Sequence, residues 1–181
     1  MKVEFIENFL VVWDSTQSLA LYKKGYYGKP LGIPKPKMAE FNAPLILDLM
    51  EGLYLAEKEE IEVWEGSDKS KVSFKKLRER ARKLYVEFDL KYSVYSDLRD
   101  KDFIVTPGIK YGCDFAVYKH GPGVEHAPYM VSVKKSKDNI TATEIVKAGR
   151  LATTVRKRFI VAIPKPKAEE LQYLIFKWFK A

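Results

Sequence analysis

Residues able to move protons gather in one short stretch of the chain. Tyr118, Lys119, His120, a Gly121-Pro122-Gly123 turn, Glu125 and His126 stand between positions 118 and 126, and both histidines of the protein are among them. Histidine is the side chain best poised for proton transfer near neutral pH. The Gly-Pro-Gly core predicts a tight excursion that presents side chains at its two ends. His126 runs at once into a strand-like segment, 128–133, and a strand end is a rigid place for a reacting group. A loop histidine is also an ordinary polar surface residue, and position alone leaves both readings open.

A second cluster is cationic: Arg150, then Arg156-Lys157-Arg158. If the helix expected over 143–155 reaches Lys157, positions 150 and 157 lie two turns apart on nearly one face, where phosphates could bind. A basic helix C-terminus favoured by the macrodipole needs no ligand, and spacing alone favours that reading. Glu87 and Asp89-Leu90-Lys91 carry the D-x-K spacing of metal-dependent nucleases, whose carboxylates hold Mg²⁺ beside a lysine. That match is short, and it sits in a helical pattern. The sequence contains no G-x-x-x-x-G-K-[ST], no G-x-S-x-G and no dinucleotide fingerprint. Cys113 reads as a small buried residue rather than a nucleophile.

The whole chain sets the limits on these sites. Its 181 residues carry 32 Lys+Arg against 24 Asp+Glu, a formal charge of +8. Residues 1–84 hold a net +2 and residues 85–181 a net +6, so the excess lies in the second half. A polyanion such as nucleic acid is the natural partner of such a surface, although Lys/Glu-rich surfaces also mark thermophile proteins. At 46% hydrophobic and 31% charged, the chain is globular. One cysteine excludes an intramolecular disulfide framework, and two histidines with one cysteine are too few for a structural zinc site. No apolar run approaches the roughly 20 residues that span a bilayer, and the start, Met1-Lys2-Val3-Glu4-Phe5, is unlike a signal peptide. A cytoplasmic protein without membrane association is expected.

The elements that must position these residues can be read in outline. Strands are predicted at Leu10–Trp13 and Leu19–Tyr22 around an Asp14-Ser15 turn. A helix is predicted over Ala43–Glu57, with Asn42 as cap and Leu45, Leu49, Leu53 and Ala56 inward. A short strand over Ile61–Glu65 and a Lys/Arg-rich helix from Ser73 to about Lys83 follow. Beyond it, a helical continuation from Val86 precedes a second helix, Ser93–Asp100, with Val94, Tyr95 and Leu98 inward. The pattern then changes to strands at Phe103–Thr106, Phe115–Tyr118 and Pro128–Lys134. A helix over Thr143–Val155 is capped by Thr141 or Thr143. Strands over Phe159–Ile163 and Gln172–Phe179 complete the chain. The expected class is α+β: a small amino-terminal α/β domain with a short sheet, residues 1–84, then a mixed α/β catalytic domain, residues 85–181, with a central sheet flanked by helices.

Longer motifs carry a resemblance. Leu21–Gly28 (LYKKGYYG) and Leu45–Glu57 (LILDLMEGLYLAE) resemble the amino-terminal domain of the archaeal tRNA-splicing endonucleases. Val94–Tyr118 (VYSDLRDKDFIVTPGIKYGCDFAVY), His126-Ala127-Pro128-Tyr129, Arg150-Leu151-Ala152 and Val155-Arg156-Lys157 resemble their catalytic domain. The resemblance implies a tyrosine, a histidine and a lysine at work, which fall on Tyr118, His126 and Lys157. Because the loop between the first two is short for the family, Tyr111 is a lesser rival for the tyrosine and His120 for the histidine.

The implied reaction needs no metal and no cofactor. The ribose 2′-OH, relieved of its proton with help from Tyr118, attacks the adjacent phosphorus. Lys157 stabilises the phosphoryl oxygens and His126 protonates the leaving 5′-oxygen, giving a 2′,3′-cyclic phosphate and a 5′-hydroxyl. A phenol with an ordinary pKa near 10 is a poor base, so Tyr118 needs nearby cations or acts by positioning. The resemblance further implies precursor tRNA with a bulge–helix–bulge as substrate and Arg150 as a clamp on a bulge nucleotide, with Lys177-Trp178 as the candidate second clamp. Family members dock an acidic loop into a basic pocket of another subunit. Here Pro164–Glu170 turns acidic only at its end, so a heterotetramer with a non-catalytic paralogue is expected. The alternatives are a non-catalytic structural subunit of that assembly and a metal-dependent nuclease using Asp89 and Lys91.

Overall fold

A computed structural model describes residues 1–34, 36, 40–66, 70–154, 157–164 and 171–176. The chain divides into two compact units, Met1–Phe88 and Asp89–Ala181.

The first unit is built on a six-stranded sheet of order β3-β4-β2-β1-β5-β6. Its strands are β1 (Lys2–Ile6), β2 (Phe9–Val12), β3 (Lys29–Pro30), β4 (Leu45–Leu47), β5 (Glu62–Glu65) and β6 (Ser70–Lys71). Only β1 and β5 run parallel. Helices α1 (Ser15–Gly25), α2 (Leu49–Glu57) and α3 (Phe74–Leu84) complete it. Leu10, Leu45, Leu47, Leu49, Leu53, Leu55 and Leu77 form its fully buried centre.

Three local readings change. Leu19–Tyr22 belongs to helix α1, not to a strand. Asp14 does not merely turn the chain: its side chain accepts from Gln17 N–H as an N-cap, and Ser18, Leu21 and Tyr22 then bury one helical face. The apolar run from Ala43 to Glu57 is not one helix either. Leu45–Leu47 is strand β4, and α2 starts only after Asp48, whose carboxylate and that of Glu51 cap each other's backbone N–H at 2.8 and 3.1 Å. Asn42 is therefore not the cap. Finally, α3 ends at Leu84, Glu87 takes a left-handed φ of 57°, and a single helix α4 (Phe88–Asp100) replaces the two expected. Ser93 starts nothing; its hydroxyl bonds back to Leu90 C=O within that helix at 2.8 Å.

The second unit carries a five-stranded sheet of order β11-β10-β9-β8-β7. These are β7 (Ile104–Pro107), β8 (Phe115–Tyr118), β9 (Tyr129–Val133), β10 (Arg158–Ile163) and β11 (Gln172–Phe176). Strands β9 and β10 are parallel, and α5 (Ala142–Thr154) makes the crossover that a parallel pair requires. Val94, Tyr95 and Leu98 of α4 are buried as the sequence suggests. The α+β class stands: a small sheet with helices, then a central sheet with helices. Among the described residues, no helix is long and apolar enough to cross a membrane.

Candidate active site at the end of the second sheet

Sheet register places the proposed site. Val117 of β8 pairs with Tyr129 of β9, and Tyr129 pairs with Arg158 of β10. One residue further along, Tyr118 ends β8, Pro128 precedes β9 and Lys157 precedes β10, where Arg158 N–H donates to Pro128 C=O at 2.8 Å. The paired row Val117–Tyr129–Arg158 thus brings Tyr118 and Lys157 to one end of the sheet, two strands apart, roughly 10 Å between backbones. His126 stands two residues before Pro128, at the same end of the sheet, and is exposed.

Lys157 is the unusual member. The residue is only 7% exposed, and its Nζ has no hydrogen-bond partner among the described residues. The ammonium sits 3.9 Å from the centroid of the Tyr111 ring. A buried cation without a counter-charge is costly, and one held at a strand entrance is suited to an anionic oxygen. Lys157 does not share a helix with Arg150, because Lys157 is itself not helical and leads directly into β10. The one-face helical spacing between them therefore fails. Arg150 is exposed on α5. Trp178 and Lys177 lie outside the described residues, as do Val155, Arg156 and most of the 164–170 loop.

Tyr118 is half-buried on the end of β8. Burial pushes its phenol above 10, the Thr106 hydroxyl pulls it back, and Tyr111 and then Glu125 push it further up. Glu125 is a structural residue that types and spacing did not assign. Its Oε1 accepts from the N–H groups of Lys119 and His120 at 2.5 and 2.6 Å, which closes the loop between Tyr118 and His126. Those bonds, His120's first, hold its carboxyl below the usual range. Gly121 and Gly123, with φ of 113° and 90°, make the turn. A carboxylate just after a Gly-Pro-Gly excursion was the available signal.

The neighbouring turn is fixed from both sides. Ile109–Tyr111 forms a 3₁₀ turn whose Tyr111 N–H reaches Gly108 C=O at 2.8 Å. Burial raises the Cys113 thiol to about 11, consistent with a packed rather than a nucleophilic role. Lys91 Nζ pairs with Asp114 at 2.8 Å, while Asp114's other oxygen accepts from Val133 N–H at 2.8 Å. The lysine of the D-x-K spacing thus ties α4 to the sheet. Among the described residues, no three of His, Cys, Asp and Glu gather as a metal site.

With this geometry in hand, comparison with known proteins is specific. The family model for the tRNA intron endonuclease N-terminal domain matches residues 1–78, and that for its catalytic C-terminal domain matches residues 88–173. A protein named tRNA-splicing endonuclease from Hyperthermus butylicus is 49% identical over 170 residues, covering 94% of this chain and 93% of its own. Its namesake from Sulfurisphaera tokodaii is 41% identical over 178 residues, 98% of each chain. That of Saccharolobus islandicus strain L.S.2.15 is 40% identical over 181 residues, 99% of each. Two family domains in sequence and relatives aligned almost end to end lead to one conclusion: the chain belongs to the tRNA intron endonuclease family.

Proposed function

We propose that this chain is an RNA endonuclease that excises introns from precursor tRNA at bulge–helix–bulge sites, without a metal ion, in the cytoplasm. The observation that carries the reading is the buried Lys157 ammonium, without a hydrogen-bond partner among the described residues, at the sheet end that also bears Tyr118 and His126. In this reading residues 1–84 form the amino-terminal domain and 85–181 the catalytic one.

Tyr118, kept as a phenol by burial, holds the ribose 2′-hydroxyl in line by a hydrogen bond while that hydroxyl loses its proton to water. The 2′-oxygen attacks the adjacent phosphorus, and Lys157 meets the charge growing on the non-bridging oxygens. The P–O5′ bond breaks as protonated His126 gives its proton to the 5′-oxygen. Arg150, reaching from a neighbouring subunit, and Trp178, the candidate second clamp, would grip an unstacked bulge nucleotide by their planar faces. The active assembly pairs this chain with a non-catalytic paralogue. Incubation of labelled bulge–helix–bulge RNA with excess EDTA tests the chemistry. Undiminished cleavage to 2′,3′-cyclic phosphate and 5′-hydroxyl ends is expected; dependence on Mg²⁺, or 5′-phosphate products, would overturn it.

A further inference from the structure

We infer that Tyr111 is a positioning residue whose ring face holds the Lys157 ammonium on the reacting phosphate. The inference rests on Lys157 acting there, as proposed above. A lysine side chain has a flexible four-carbon stem, so a fixed ammonium needs a partner. Lys157 Nζ finds no hydrogen-bond acceptor among the described residues, and the Tyr111 ring centroid is 3.9 Å away, well inside the range at which a ring quadrupole attracts a cation. A carboxylate would hold the ammonium equally well but would neutralise it. A ring holds the charge and leaves it available to the substrate.

Tyr111 is itself built in. The 3₁₀ turn that carries it is closed by Gly112 N–H to Ile109 C=O at 3.1 Å, with Gly112 at φ 66°. The residue that precedes and caps it, Gly108, has no room for a side chain: an added Cβ would meet Cys113 Sγ at 2.6 Å and Cys113 C=O at 2.7 Å. The Tyr111 phenol is also one of the groups that raise Tyr118. Tyr111 therefore neighbours two of the three proposed catalytic residues, which accounts for its place without making it the tyrosine of the reaction.

The test replaces residue 111 in the active assembly by phenylalanine, by mono-, di- and trifluorinated phenylalanines, and by leucine. Fluorination weakens the ring's attraction for a cation at nearly constant size. Tyr111→Phe should retain most of the activity. The fluorinated series should lower kcat step by step, to about tenfold at trifluoro, with KM unchanged. Tyr111→Leu should fall at least as far. In the isolated chain, the Lys157 ε-methylene protons should be shifted upfield by the ring and lose that shift in Tyr111→Leu. A flat fluorine series, or a loss in Tyr111→Phe equal to that in Tyr111→Leu, would overturn the inference. Lys157→Ala separates the two failures: if it destroys cleavage while the series is flat, only the role of Tyr111 falls, and if it cleaves normally, the reading of Lys157 falls with it.

Discussion

Tyr118 shows how much a single environment decides. Its folded pKa lies above 10, chiefly through burial, so the neutral phenol is the form the fold favours. That contribution to stability is complete below pH 10 and is lost as pH rises through the raised folded value. A general base at neutral pH would need the opposite shift. The pH–rate profile of the assembled enzyme should therefore show no inflection owed to Tyr118 below pH 10, and Tyr118→Phe should lower kcat by roughly 10- to 100-fold at every pH in that range. An inflection between pH 7 and 8 that disappears in Tyr118→Phe would contradict this. Residue types and spacing singled out His126, but Tyr118 was assigned by resemblance to the family. The partnership of Tyr111 with Lys157 was illegible, because the strands that bring them together are far apart in sequence. Spacing instead suggested a helical face shared by Lys157 and Arg150, and the start of β10 replaces it.

Among the elements, α5 links β9 to β10 and carries Arg150. Its start is a reciprocal cap: Thr141 Oγ1 accepts from Glu144 N–H at 3.2 Å, and Glu144 accepts from Thr141 N–H at 2.9 Å and from Lys134 Nζ at 2.9 Å. The Thr141 N–H, then Lys134, bring the Glu144 carboxyl down to about 2 from 4.5. The stabilisation is thus complete above pH 4.5 and is lost as pH falls toward 2. Amide exchange in the first turn of α5 should accelerate over that window relative to the second sheet. Glu144→Gln should abolish the pH effect, whereas equal protection at pH 3 and pH 6 in the wild type would refute the cap. At the turn that carries Tyr111, Gly108→Ala should cost about 1–3 kcal/mol in denaturant unfolding, since the added carbon meets backbone as well as Cys113. Where periodicity met a clear cap at Thr141 or Ser73, the element was legible. It failed where one apolar run crossed a strand, a cap and a helix, as at Leu45–Asp48–Leu49, and where Asp14 served equally as turn and cap.

For the molecule as a whole, the +8 charge and its concentration in residues 85–181 suit a polyanionic substrate. The proposed need for a second subunit draws on two features. The 164–170 segment has little of the acidic character expected of a docking loop. In addition, β11 is an edge strand with Leu174 and Ile175 about half exposed, the kind of edge that proteins usually cover. Purified alone, the chain should bind bulge–helix–bulge RNA yet cleave it poorly, with activity restored by the paralogous subunit. Full cleavage by the isolated chain would end the heteromeric reading.

The most direct measurement of the catalytic account uses two substrates that differ in one atom. In the assembled enzyme, His126→Ala and Lys157→Ala should each lose roughly 100-fold or more in kcat on ordinary RNA while still binding it. Replacing the scissile 5′-oxygen by sulfur provides a leaving group that needs no proton. On that substrate, His126→Ala should recover to near the wild-type rate, and Lys157→Ala should not. Wild-type rates for either variant on ordinary RNA, or a His126→Ala defect that sulfur leaves unchanged, would contradict the assignment of His126 as the acid and Lys157 as the phosphate's cation.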